Sequence, residues 1–167
     1  RRSPGRFRSG RSPAARARFG GRLKAFVSGG AALNPEIGTF FHALGVRVLQ
    51  GYGQTESAPV IACNRPFDER METVGRPLKG VEVRLGPDGE ILARGENVML
   101  GYWNDAEGTS RVIVDGWLHT GDVGEIDAAG RIRITDRKKD FIKNSGGDMV
   151  APSKVEGTLL LEPEIAQ

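Results

Sequence analysis

Cysteine is almost missing from this chain: Cys63 is the single one among 167 residues. No disulfide can form within it, and a reducing, cytosolic setting is expected. Histidine is nearly as scarce, with only His42 and His119. Neither lies near Cys63 in sequence, so the pattern of a thiol activated by an imidazole is lacking, and Cys63 reads as a small buried hydrophobe. No run of about 18 or more apolar residues occurs, which excludes a membrane-spanning helix. A signal-peptide pattern is also missing, and the chain does not open on Met, so targeting stays undecided at this level. Acidic residues are missing from the first 22 positions, which hold eight Arg; the other 16 basic and 21 acidic residues leave −5. The net charge of +3 therefore describes a basic leader on a mildly acidic body.

What is present fits a folded chain. Hydrophobic residues make up 38% and charged residues 27%, a globular composition, while 24 Gly and 9 Pro signal many turns. The length allows one domain, or one domain and part of another. Residues 1–18, RRSPGRFRSGRSPAARAR, carry almost no apolar periodicity. A nucleic-acid or anionic-lipid arm is one reading of such a stretch. A poorly ordered leader, or a surface segment without its packing partners, is the other, and it is preferred because no aromatic platform follows.

Residues 23–27 read as a short buried strand running into a small-residue loop. Asn34 is a good N-cap, Pro35 suits the first helical position, and Glu36 complements the helix dipole. Ile37, Phe40, Phe41 and Leu44 repeat at helical spacing, Gly45 ends the helix, and residues 46–50 form the next strand. Strand, helix and strand with short connections predict a βαβ unit. From about Thr73, residues 81–85, 90–94 and 131–134 alternate in strand fashion around Gly-Pro-Asp-Gly and Ala-Ala-Gly turns, with a further short strand at 123–126. A short helix is expected over 104–111, capped by Asn104 or Asp105. The charged run 136–140 breaks the pattern, and a strand at 141–143, a glycine loop at 144–148 and a helix from about Pro152 follow. The expected class is α/β: a βαβ part of a large domain (19–72), an antiparallel sheet or small barrel (73–135), and the start of a small α+β domain (136–167).

Chemistry concentrates in four places. The string GYGQTE (51–56) follows a βαβ strand, and ligands of open α/β sheets bind beyond the carboxyl ends of the strands. Gly51 and Gly53 let backbone approach a flat ligand, Tyr52 offers a stacking face, and Thr55 supplies a hydroxyl. Glu56 is a hard oxygen ligand suited to Mg²⁺. A turn with a capping Thr and a solvated Glu would explain the same string. The loop around Gly29, Gly30 and Ala31 could line a pocket or simply turn the chain. Asp122, ending GWLHTGD (116–122), could accept from two ribose hydroxyls or cap a turn. Arg137 has a fork suited to ribose or phosphate oxygens, or is a solvated charge.

Order and combination separate these readings. SGGAAL (28–33), GYGQTE, GWLHTGD, ITDRKKDFIK (134–143) and NSGGDMVAP (144–152), in that sequence, resemble the adenylate-forming, AMP-binding superfamily over roughly nine tenths of the chain. The later motifs look most like bacterial long-chain fatty acid CoA ligases. The resemblance implies an acid–thiol ligase that uses ATP, Mg²⁺ and coenzyme A to activate a fatty carboxylate through an acyl-adenylate. It implies that Gly29, Gly30 and Ala31 form the loop between adenine pocket and acyl site. Gln50, Gly51, Tyr52, Gly53, Gln54 and Thr55 would be the adenine strip, with Tyr52 against the base. Thr55 would lie near the α-phosphate, and Glu56 would be the Mg²⁺ ligand. Asp122 and Arg137 would hold the ribose, residues 136–138 would be the hinge, and Gly146 and Gly147 would meet the pantetheine arm. The superfamily's phosphate loop and its catalytic lysine have no match in this sequence; neither Lys143 nor Lys154 occupies the lysine's motif. The chain is therefore expected to be an internal piece, inactive alone, of a cytoplasmic enzyme drawn by its lipid substrate to the inner face of the membrane. Two alternatives are an adenylating enzyme for aryl or amino acids, and a non-catalytic nucleotide- or nucleic-acid-binding fragment; no specific nucleic acid is expected as a partner of the ligase.

Overall fold

The structure is a computed structural model that describes residues 13–138 and the backbone of 142–143 and 149–150. The first element, α1 (Pro13–Arg18), occupies the last six residues of the expected leader. Pro at its first position and the Ala/Arg run after it favour a helical turn there.

The βαβ unit forms as expected, with shifted edges. β1 (Phe26–Ser28) starts three residues later than the apolar run suggested, and it pairs in parallel with β2 (Val48–Tyr52) from Phe26↔Val48 to Ser28↔Gln50. Between them, α2 (Pro35–Ala43) begins where Asn34 accepts a hydrogen bond from the Glu36 N–H at 2.8 Å. It ends at Leu44, and Gly45 takes the left-handed φ of 75° that turns the chain into β2. The helical spacing sets the helix but not its burial: Phe40 is 60% exposed, whereas Gly38 is buried against Met71.

The strand expected to stop at Gln50 runs on through Gly51 and Tyr52. The reason is a partner invisible to local pattern: β3 (Ala62–Cys63) pairs antiparallel with those two residues, and β4 (Arg76–Pro77) pairs with β3. The first sheet is thus four-stranded, in the order β1-β2-β3-β4. Cys63 is half-buried in it, not fully, and burial pushes its thiol above the ordinary value.

The second sheet holds β5 (Glu82–Leu85), β6 (Glu90–Arg94), β7 (Ile113–Val114), β8 (Trp117–Ile126) and β9 (Ile132–Arg137). Before β7 comes α3 (Ala106–Val112), capped by Asp105, whose carboxylate accepts from the Gly108 N–H at 2.7 Å. β8 replaces what the sequence suggested as a loop followed by a short strand. It pairs with β6 along one edge, and with β7 and then β9 along the other. β9 is likewise longer than expected, because Asp136 and Arg137 pair with Val123 and Asp122.

The two sheets are joined where Ile132 donates to Gly75 O at 2.8 Å and accepts from Val74 N at 2.9 Å. Around this junction Tyr52, Ile61, Ala62, Ile91, Ala93 and Ile132 form one apolar cluster. β10 (Ile142–Lys143) and β11 (Met149–Val150) form a separate antiparallel pair. The expected glycine loop with Gly146 and Gly147, and the helix from Pro152, lie outside the described residues.

Candidate functional site

The end of β2 and the middle of β8 meet at one carboxylate. The Tyr52 hydroxyl donates to Asp122 Oδ2 at 2.8 Å, and Arg137 Nε lies 3.4 Å from Asp122 Oδ1. Asp122 and Arg137 are cross-strand partners on β8 and β9, so the sheet register itself sets that pair. Gly121, with φ of 76°, and the register shift after Val123 re-aim the strand at this point. Thr120 steadies it: its hydroxyl donates to Ile91 O at 2.7 Å and accepts from Asp122 N at 3.2 Å. Asp122 is therefore a strand residue, not the cap of a turn, because pairing on both edges of β8 keeps the segment extended.

Tyr52 is only 8% exposed and belongs to the apolar cluster. Burial, reinforced by the Asp122 charge, pushes its phenol far above the ordinary tyrosine range, so it remains a proton donor to the carboxylate. It also lines a cavity of about 530 Å³. The walls of that cavity are residues 30–33 with Pro35, 50–54, 71–74, and Asp122 with 134–137. Gln50, buried, fixes two of the walls: Nε2 donates to Met71 O at 2.6 Å, and Oε1 accepts from Leu33 N at 3.4 Å. Gly53 admits no side chain, since a Cβ would overlap the Pro59 carbonyl oxygen.

Of the residues singled out in the sequence, Gly30, Ala31, Gln50, Gly51, Tyr52, Gly53, Gln54, Asp122 and Arg137 line this one cavity. Gly29 sits just behind it, against Gly51 O. Thr55 and Glu56 lie off the walls, in a 3₁₀ turn (Thr55–Ser57) that continues the strip. Thr55 is exposed; Glu56 is half-buried, with Oε1 accepting from the Tyr102 hydroxyl at 2.6 Å. Among the described residues, no group of three or more His, Cys, Asp or Glu is placed to hold a metal ion.

Several residues at or near the site had no signal in the sequence. The wall at 71–74 carries no motif. Glu90, 4% exposed, accepts from the Lys138 ammonium at 3.0 Å and the Gly121 N–H at 2.9 Å, and it lies 3.0 Å from His119 Nδ1. Burial opposes its charge, but these partners outweigh burial and hold its carboxyl below the usual carboxylate range. The GPDGE string reads as a turn and a strand start, and nothing local marks its last residue as the buried one.

The sequence profile of AMP-binding enzymes matches residues 6–103. The chain belongs to the AMP-binding enzyme family. Within it, the chain is 41% identical over 152 residues to the long-chain-fatty-acid–CoA ligase FadD15 of Mycobacterium bovis, covering 91% of this chain and 25% of that protein. The chain thus spans about a quarter of the length of the curated relatives it matches. Among solved structures it resembles the o-succinylbenzoate CoA synthetase MenE of Bacillus subtilis, in complex with ATP and magnesium ion. The TM-score is 0.77 at 32% identity, covering 86% of this chain and 32% of that one. It also resembles the amide bond synthetase McbA of Marinactinospora thermotolerans, with a TM-score of 0.72 at 35% identity, covering 84% and 31%. The family fold agrees with the α/β order of the described elements.

Proposed function

We propose that this chain supplies the nucleotide-holding part of an ATP-dependent ligase that activates a fatty carboxylate as its acyl-adenylate and passes it to coenzyme A. The observation that supports this most is the convergence of Tyr52, Asp122 and Arg137 on one cavity. A carboxylate held by a phenol on one oxygen and a guanidinium near the other is fixed in orientation. It can accept from the two adjacent hydroxyls of a ribose, with the base lying along residues 50–54.

The chemistry needs such a hold. A carboxylate is a poor acyl donor because its charge repels nucleophiles and its oxygen is a poor leaving group. In the first step its oxygen bonds to the α-phosphorus of ATP and pyrophosphate leaves. In the second, the thiolate sulfur of coenzyme A bonds to the acyl carbon and AMP leaves with the bonding pair. Asp122 and Arg137 fix the sugar, so the α-phosphorus is presented in one place. Thr55, at the end of the strip where the 3₁₀ turn begins, is the hydroxyl proposed to face the α-phosphate. A divalent cation fits Glu56: Tyr102 takes one carboxylate oxygen, and the other has no partner among the described residues. A lone hard carboxylate suits a Mg²⁺ ion that arrives with the phosphates and neutralises their charge, not a resident protein-caged metal. Residues 136–138 are the proposed hinge to a small domain beginning there, and Gly146 and Gly147 the proposed contact of the pantetheine arm.

A second reading, a ligase for an aryl or other carboxylate, is favoured by the likeness to an o-succinylbenzoate CoA synthetase and an amide bond synthetase. Comparing AMP release with palmitate, benzoate and amino acids in the complete parent enzyme separates the two. The site itself is tested by Asp122→Ala in that enzyme. Loss of bonds to a charged group, each worth about 1.5–3 kcal/mol, should weaken ATP binding at least about tenfold. The protein should stay folded, with a modest fall in melting temperature as the Tyr52 hydroxyl loses its acceptor. Unaltered ATP affinity removes Asp122 from the site.

A further inference from the structure

Residues 97–102 are fastened to the strip that carries Glu56. Asn97 Nδ2 donates to Ser57 O at 3.0 Å and Val60 O at 2.9 Å, and Met99 N donates to the Glu56 carbonyl at 2.8 Å. The Tyr102 hydroxyl then reaches Glu56 Oε1 at 2.6 Å. Main chain and side chain of Glu56 are thus both held by one segment more than 40 residues away in sequence.

That segment is itself braced from behind. Tyr102 N donates to Thr109 Oγ1 at 2.8 Å, and the same hydroxyl donates to Asp105 O at 2.7 Å, at the start of α3. A Cβ on Gly101 would press into Thr109, so the chain passes α3 at backbone distance. Apolar burial does not hold this loop. Leu100 and Trp103, which flank Tyr102, are almost fully exposed, and Tyr102 is 39% exposed. Polar bonds fix it, and they converge on a carboxylate that would otherwise be free to rotate about three torsions.

We propose that Tyr102 is a positioning residue, whose phenol O–H holds Glu56 Oε1 so that Oε2 is the oxygen presented to the divalent cation accompanying the triphosphate. This rests on the reading of Glu56 given above. Carboxylate ligands are commonly oriented by a hydrogen bond to the oxygen that the metal does not take, and loss of that bond typically costs about 10–100-fold in metal affinity. Phenylalanine keeps the ring and deletes only the donor, which makes the substitution clean.

The test uses the complete parent ligase with Tyr102→Phe and Glu56→Gln. Calorimetry measures ATP binding with no divalent cation and across a Mg²⁺ titration, alongside the Mg²⁺ needed for half-maximal carboxylate-dependent ATP–pyrophosphate exchange. Tyr102→Phe should raise the Mg²⁺ requirement in both about tenfold, leaving cation-free ATP binding unchanged. A merely structural loss would weaken cation-free binding as well, and that result overturns the proposal. So does an unchanged or lowered Mg²⁺ requirement for Tyr102→Phe while Glu56→Gln raises it. If Glu56→Gln itself leaves the requirement normal, the metal reading of Glu56 fails first, and the role of Tyr102 falls with it.

Discussion

Tyr52 and Asp122 stand 70 residues apart, yet they share a hydrogen bond of 2.8 Å at the rim of the cavity. Each was legible in the sequence as a residue type suited to a nucleotide, the first for its ring and the second for its charge. Their pairing was not, because it depends on two sheets meeting, and no local pattern encodes that. The pairing also changes what the tyrosine does: its ring is mostly core, and its hydroxyl serves the carboxylate. Tyr52→Phe keeps the ring in the apolar cluster and removes the donor. ATP affinity of the parent enzyme should fall several-fold, consistent with one lost bond to a charged group at about 1.5–3 kcal/mol less partial replacement by water. Calorimetric titration with ATP reads this directly, and an unaffected affinity would make the hydroxyl incidental. Glu56 shows the opposite case: its chemistry was readable from six residues, but Tyr102, which reaches it, sits in a string with no polar periodicity.

β8 is the element that the sequence hid. Gly116 precedes it and Gly121 and Gly124 punctuate it, and glycine in an extended run reads locally as a turn. Pairing with β6 on one side and with β7 and β9 on the other overrides that preference, so a ten-residue strand forms. By contrast β6 was read to the residue, since its polar ends and apolar centre match a simple strand. Between these strands Glu90 sits with His119, the Gly121 N–H and Lys138. Its carboxyl is depressed in the folded chain, so the stability it contributes is present above the ordinary carboxylate value and lost as pH falls through the lower folded value. The chain should therefore lose stability on acidification below about pH 4.3, the ordinary glutamate value, and Glu90→Gln should lack the Glu90 share of that loss. At neutral pH the same substitution removes one carboxylate from Lys138, which is half-exposed and keeps Asp88 at 2.6 Å, and should cost about 1–2 kcal/mol in lost hydrogen bonds. Urea unfolding of wild type and variant at pH 7 and pH 3.5 measures both effects.

At the scale of the whole molecule, the order of a βαβ unit followed by an antiparallel sheet was legible, because the apolar period and the turn chemistry change near Thr73. The seam between them was not, since it consists of two backbone bonds to Ile132 and a cluster drawn from distant segments. Ile132 is fully buried at that seam. Ile132→Ala should destabilise the chain by about 2–5 kcal/mol, and both sheets should unfold in one transition. Circular dichroism and tryptophan fluorescence melts that separate in the variant, but coincide in wild type, would mean that the Ile132 side chain is what couples the sheets, against the single transition expected.

Lys138 is riveted where β9 ends: its N–H donates to Gly121 O at 2.7 Å, and its ammonium lies 2.6 Å from Asp88 and 3.0 Å from Glu90. A swivel on the proposed hinge at 136–138 would therefore have to start beyond Lys138 or release these contacts. Turning about Lys138 itself would pull a cation away from a buried acid. Turning beyond it would leave Arg137 paired with Asp122, so the proposed sugar contact would outlast the swivel.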